Sequence, residues 1–334
     1  MFEDFANVWT PVALARSLST TAPLAVTVAG TKVVLFRDGA GRAKALIDQC
    51  PHRGVALSLG KVNDGCIECP FHGWRIEGGG GVTHVPWNPD AKLETLRAKA
   101  VPVCELGGQV WIHTSVGLPP TKGPEVHEAI SRDGVRVSGF DVVWNTHWTR
   151  AMENMLDWPH LPFVHKATIG KSMVRASGSR LDVEWEPRAW GAHTSIRIDG
   201  KDQPGSLDFR WPNQMNLHIP IPGKLLMMLV ACVPIDATHT RMMMVMARDF
   251  LTLPIFDFVF HRMNARIANE DRAIVESSVP MEVPAASEEK SVRTDGPTLQ
   301  FRKRYFADLR GSSVRSETQK GDRHLPMAPP EASA

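Results

Sequence analysis

Cys50-Pro51-His52-Arg53-Gly54 and, after sixteen intervening residues from His52, Cys69-Pro70-Phe71-His72-Gly73-Trp74 govern how this 334-residue chain is read. The two pairs supply two thiolates and two imidazoles. That set suits a [2Fe-2S] cluster with Cys50 and Cys69 on one iron and His52 and His72 on the other. Replacing two thiolates by neutral imidazoles removes negative charge at one iron and raises the reduction potential. The same donors would satisfy tetrahedral zinc. Against zinc, the first pair is Cys-x-His and both pairs sit in short Pro- and Gly-bearing loops, whereas a zinc finger spaces Cys-x₂₋₄-Cys and puts its histidines on a helix. The chemistry implied is one-electron transfer.

Working outward, short strand-like runs cover 24–28, 32–37 and 43–47, with Asp38-Gly39 and Gly41 as turn residues. Gly78 to Gly81 is read as a hairpin turn beyond the second loop. Residues 99–105 and 109–113 form a closing hairpin through Gly107-Gly108. Many short strands with Gly-rich turns predict a small antiparallel barrel or sandwich. The Pro/Gly linker from Gly117 to Pro124 is the best boundary. Beyond it come a strand over 135–143, a helix over 147–156, strands over 181–185, 194–198, 207–211, 215–219, 225–233 and 241–247, and a long helix over 255–278 with Pro254 at its first turn. The fold class is α+β, with domains at 1–116 and 117–315 and a polar, disordered tail expected over 316–334.

The balance of 38 − 36 = +2 charges, without a basic run, points away from nucleic acid and anionic membranes. Met1-Phe2-Glu3-Asp4-Phe5 lacks the pattern of a secretory signal. The longest apolar run, 225–233, is too short to cross a bilayer. Of five cysteines, Cys66, Cys104 and Cys232 remain outside the motif with no regular spacing, which argues for free thiols and the cytoplasm.

A second constellation runs from Asn154 through Asp157, His160 and His165. If the helix persists through Trp158, Asn154 and Asp157 share a face. Pro159 and Pro162 predict a broken segment that aims both imidazoles at one point. Two histidines and one carboxylate with open positions are the ligands of mononuclear Fe(II) oxygenases, whose free face admits O₂. Asp271 is the first candidate for the carboxylate, because Ile267, Ala268, Ile274 and Val275 place it on an inward helix face. Burying it unpaired would cost roughly several kcal/mol. Glu270, about 100° around the helix, is the second candidate, and Glu276 the third.

Cys-Pro-His-Arg-Gly followed by Cys-Pro-Phe-His-Gly-Trp resembles the Rieske family, and Asn-x₂-Asp-x₂-His-x₄-His extends the likeness to the large (α) subunit of Rieske non-haem iron oxygenases. The resemblance implies cluster ligation by Cys50, His52, Cys69 and His72, and iron ligation by His160, His165 and Asp271. It makes Asp157 a bridging acid that reaches a cluster histidine of a neighbouring subunit, with Asn154 near the iron. It further implies a helix-grip (START-like) catalytic domain, a head-to-tail homotrimer without a β subunit, and kinship with the ketosteroid hydroxylase and O-demethylase branches.

Two electrons are needed to activate O₂. The chain has no Gly-x-Gly-x-x-Gly strand–turn–helix fingerprint, so NAD(P)H would be oxidised by a separate flavin reductase, directly or through a ferredoxin. Met242, Met244 and Met246 share one strand face and, with Met227 and Met228, either pack a core or line a deformable pocket. Trp211, Met215, Phe256 and Phe260 carry the same ambiguity. The expected activity is hydroxylation or oxidative demethylation of a medium-sized apolar or aromatic substrate. The alternatives are cis-dihydroxylation or desaturation and, from other classes, an electron-transfer protein with a lipid-binding domain or a zinc-stabilised binding protein.

Overall fold

The computed structural model describes residues 1–2, 4–115, 120–171, 173 and 178–310. Among the described residues the N-terminal unit holds ten short strands: β1 (Trp9–Leu14), β2 (Leu24–Val28), β3 (Thr31–Arg37), β4 (Ala43–Ile47), β5 (Lys61–Asn63), β6 (Cys66–Glu68), β7 (Arg75–Ile76), β8 (Val82–His84), β9 (Val103–Leu106) and β10 (Gln109–His113). They form three small antiparallel sheets, β2-β3-β4, β5-β6-β7-β8 and β1-β10-β9. The hairpin between β9 and β10 turns at Gly107-Gly108, as the sequence predicts, and Gly78–Gly81 closes the β7–β8 turn. Strands β5 to β8 escape a pattern reading, because two or three residues cannot display a period of two. Strand β1 was likewise not expected from the sequence.

The second unit is built on one seven-stranded antiparallel sheet. Its strands are β11 (Arg136–Trp144), β12 (Leu181–Arg188), β13 (Gly191–Ile198), β14 (Lys201–Arg210), β15 (Gln214–His218), β16 (Leu226–Pro234) and β17 (Thr240–Arg248), in the order β11-β17-β16-β15-β14-β13-β12. All nine residues of β16 are buried. It lies between two paired strands and is covered on both faces, so it reads as a continuous apolar run. On one face lie α1 (Trp148–Leu156), the single turn α2 (Leu161–Val164) and α3 (Ile255–Val275). On the other, β1 and β10 of the N-terminal unit approach Gln214, Asn216, Leu229 and Ala231, and Asn213 Nδ2 donates to Thr10 Oγ1 at 3.0 Å.

Helix α4 (Gly296–Tyr305) was not expected from the sequence. Its inward side includes Arg302, a residue that ordinarily signals solvent. Here Arg302 is buried against Glu153 of α1 and Glu289, and Arg150 reaches the same two acids. The network ties α4 to α1. The predicted boundary at residues 116–117 and the tail at 316–334 lie outside the described residues. Among the described residues no helix is long and apolar enough to cross a membrane.

Candidate metal centres

The two Cys/His loops share one backbone design. In the first, Cys50 N–H donates to Val55 O (2.8 Å) and Gly54 N–H to Cys50 O (2.9 Å). In the second, Cys69 N–H donates to Trp74 O (2.8 Å) and Gly73 N–H to Cys69 O (3.0 Å). Each loop therefore closes four residues after its cysteine, on a glycine at φ +73° or +72° that a side chain would strain. The cysteines are 3 % exposed and belong to the core with Val34, Phe36, Leu46, Ile67 and Ile76.

Both histidines sit nearer the surface. The rings of His52 and His72 are 4.7 Å apart, and His52 stacks on Trp74 at 4.5 Å. His52 Nδ1 is buried without a hydrogen-bond partner, an arrangement that a metal bond would relieve. Desolvation, with the charges of His72 and Arg53, lowers the His52 pKa and favours the neutral ring that ligation requires. Among the described residues, no three of these four side chains bring donor atoms within 4.8 Å of one another, as a single tetrahedral zinc would demand. The donors fit a cluster of two irons better than one ion.

Across the molecule, His160, His165 and Asp271 do bring their donor atoms within 4.8 Å of one another. Helix α1 ends at Leu156, so Asp157 is not on the helix face shared with Asn154, as the sequence had indicated. Asp157 is the extended residue that stops the helix, because Pro159 leaves no room to continue. One full helical turn, α2, does run between the histidines despite Pro162. A proline is tolerated there because first-turn N–H groups have no intrahelical partner. His160 precedes that turn and His165 follows it, with ring centroids 5.3 Å apart.

Each imidazole is held from behind by a carboxylate. His160 Nδ1 lies 3.2 Å from Asp157 Oδ2, which also accepts the His160 backbone N–H at 3.1 Å. His165 Nδ1 lies 2.9 Å from Glu270 Oε2. These bonds put each proton on Nδ1 and leave both Nε2 atoms free to face Asp271 Oδ1, at 3.6 Å and 3.0 Å. Asp271 is 4 % exposed, and its Oδ1 has no hydrogen bond of acceptable angle. An orphaned buried carboxylate oxygen between two imidazole nitrogens is the signature of a cation site. The donor set fits a mononuclear Fe(II).

The electrostatics agree with that reading. Burial disfavours the His165 imidazolium, but Asp271 and Glu270 outweigh it and raise its pKa while no metal is bound. For Glu270, burial opposes ionisation, yet the bonds from His165 and Thr168 hold its carboxyl below the usual range. Glu270, the second candidate for the third ligand, thus faces the back of His165 rather than the convergence point. Glu276 instead accepts from Asn145 N–H and Arg272.

Helix α3 buries Phe260, Asn264, Ile267, Ala268, Asp271 and Val275 in one stripe. Ile274, counted on that face from the sequence, is 56 % exposed. The three donors share the wall of one cavity, lined chiefly by apolar side chains. Strand alternation aims Leu207, Met215, Leu217, Met228, Val230 and Met244 into it. Met242 and Met246 belong to the core, as do Phe260 and the partly buried Trp211 and Phe256. Besides Asp271, two lining residues carry a buried polar atom without a hydrogen-bond partner, at Asn154 Nδ2 and Asn264 Oδ1.

A second donor cluster went unread in the sequence. On the opposite sheet face, Asp208 accepts from His193 Nδ1 (2.7 Å) and His218 Nε2 (3.2 Å), with His127 5.0 Å from the His218 ring. His127 Nδ1 accepts the Ala129 N–H at 3.2 Å, so its proton sits on Nε2 and blocks ligation there. Asp208 already has two donors. The cluster pins the segment after the linker to the sheet.

Comparison with known proteins follows this division. Residues 8–99 match the Rieske [2Fe-2S] domain family, and residues 144–307 match the vanillate O-demethylase oxygenase C-terminal domain family. The chain is 28 % identical over 303 residues to chlorophyllide a oxygenase of Chlamydomonas reinhardtii, covering 82 % of this chain but only 43 % of that protein. It is 28 % identical over 295 residues to methylxanthine N3-demethylase NdmB of Pseudomonas putida, covering 84 % of this chain and 81 % of the relative. The solved structure of NdmA from Pseudomonas putida CBB5 superposes with a TM-score of 0.78 at 22 % identity over 98 % of both chains, a likeness of fold. The two matched families fall in sequence order on the two donor sets, and the chain belongs to the Rieske non-haem iron oxygenase family.

Proposed function

We propose that this chain is a terminal oxygenase component. It hydroxylates or oxidatively demethylates a medium-sized apolar or aromatic substrate with O₂, using electrons from NAD(P)H delivered by a separate flavin reductase or ferredoxin. One observation carries the reading: His160 Nε2, His165 Nε2 and the orphaned Asp271 Oδ1 converge in the wall of a chiefly apolar cavity. That convergence also speaks against a plain electron carrier with a lipid-binding domain. Residues 1–116 carry the cluster on Cys50, His52, Cys69 and His72, and residues 117–315 carry the mononuclear iron. When bound, the cluster and the mononuclear iron supply the two electrons that O₂ activation consumes.

The chain's own groups do the positioning. Asp157 keeps the His160 proton on Nδ1, and its 29 % side-chain exposure leaves it able to reach a cluster histidine of a neighbouring subunit in a head-to-tail homotrimer. The apolar walls exclude water and bind the body of the substrate. Asn264 lies seven residues before Asp271 on the same helix face, about 10 Å along the axis. Its unpartnered amide oxygen favours a substrate with one hydrogen-bonding group remote from the carbon that reacts. All five cysteines are free, in keeping with a reducing compartment, and we place the protein in the cytoplasm.

The test is metal and sulfide analysis of anaerobically purified protein, followed by turnover with a reductase and NAD(P)H. The expected result is about three irons and two acid-labile sulfides per chain, with O₂-dependent product from an apolar substrate. A stable ratio of about two irons to two sulfides after Fe(II) reconstitution would defeat the oxygenase reading. Zinc without sulfide would defeat the cluster as well.

A further inference from the structure

The geometry points to Glu270 as a positioning residue that fixes His165 for the metal, so that α3 supplies one ligand and the anchor of another. The inference rests on reading His160, His165 and Asp271 as the mononuclear site. Glu270 and Asp271 are neighbours on α3 and point about 100° apart. Asp271 therefore meets the Nε2 edge of His165 at 3.0 Å while Glu270 Oε2 meets the Nδ1 edge at 2.9 Å. The His165 ring is held between two consecutive side chains of one rigid helix. Glu270 is itself braced: Thr168 Oγ1 donates to the same Oε2 at 2.7 Å, and Arg266, one turn back, lies 3.4 Å from Oε1.

His160 is held differently. Its carboxylate partner, Asp157, stands three residues away on the same short segment and is more exposed than Glu270, at 29 % against 20 %. His165 is 1 % exposed and its partner is 105 residues distant, on another element. The two carboxylates thus divide the work. Asp157 faces outward, where an electron can be passed. Glu270 sets the tautomer and orientation of the buried ligand and raises its basicity.

The experiment is Co(II) binding to protein that retains its cluster but has been stripped of mononuclear iron, read by the ligand-field absorption of Co(II) and by competition with Fe(II). Glu270→Ala is expected to weaken binding by about 10- to 100-fold and to alter the Co(II) spectrum. Glu270→Gln, which can still accept the His165 proton, is expected to recover part of the loss. The cluster absorption and the melting temperature of the metal-stripped protein should stay at wild-type values. Thr168→Val, which removes the brace alone, serves as the milder variant should Glu270→Ala not fold, and is expected to move affinity in the same direction by less. Wild-type affinity and spectrum in Glu270→Ala, or in Thr168→Val when only that variant folds, would overturn the positioning role while leaving the metal site intact. Absence of Co(II) binding in the parent protein would instead overturn the site itself.

Discussion

The two metal centres are assembled in opposite ways. The proposed cluster site would take its four ligands from two loops within 23 residues, 50 to 72, and each loop closes on its own backbone through the same pair of hydrogen bonds. The proposed mononuclear site would take two ligands from one broken segment and its third from 106 residues later (271 − 165), on a helix that must first pack across the sheet. A site made of local turns is set by nearby residues. A site made across elements is only as accurate as the packing of α1, α2 and α3.

The largest expected effect isolates the local site. Cys69→Ala should abolish the visible cluster absorption and acid-labile sulfide, and should lower the melting temperature of the N-terminal unit, since Cys69 is part of its core. About one iron per chain should remain on the mononuclear site. Loss of that iron too would show that the two centres are not assembled independently.

Asp157→Asn tests the other side of the comparison with a smaller effect. Both metals should stay bound, because the asparagine amide oxygen can still accept from His160 Nδ1–H and hold the ring. Coupled turnover should fall by about 100-fold, the scale seen when the partner of a ligating imidazole is removed. Unchanged steady-state activity would sink the bridging role, and loss of iron would make Asp157 an anchor like Glu270.

The smallest effect concerns the helix on which the distant site depends. His147 caps α1, with Thr149 N–H donating to its Nδ1 at 3.4 Å. Burial holds its pKa down at about 4, against 6.5 when unfolded, with Glu282 acting in the opposite direction. The unfolded chain therefore binds a proton that the folded chain refuses between those values. The stability from His147 is complete above about pH 6.5 and is lost as pH falls toward 4. His147→Asn, which keeps a capping oxygen but cannot titrate, should flatten the fall in melting temperature between pH 7 and 5. An unchanged slope would remove His147 from the account.

The strands and helices that could be predicted are those whose surroundings are uniform along their length. Strand β16 is apolar at nearly every position because both of its faces are covered. The stripe of α3 repeats over several turns and showed Asp271 to be inward. What stayed hidden has the opposite character. Strands β5 to β8 are too short for a period, and α4 buries an arginine whose acidic partners come from other segments. The end of α1 at Leu156, the helical turn through Pro162 and the exposure of Ile274 each depended on neighbours that the local pattern does not name.

By itself the sequence determined the donor chemistry. Cys50, His52, Cys69 and His72 on glycine-closed loops, and His160 and His165 around two prolines, are local arrangements whose covalent spacing already limits what they can hold. Only the tertiary structure shows which acid faces the two Nε2 atoms and which stands behind His165. Asp271 and Glu270 are adjacent carboxylates on one helix, and which of them faces which edge of His165 depends on how α3 is rotated against that ring. That rotation is set by the burial of the whole Phe260–Val275 stripe, a property of packing that no single residue carries.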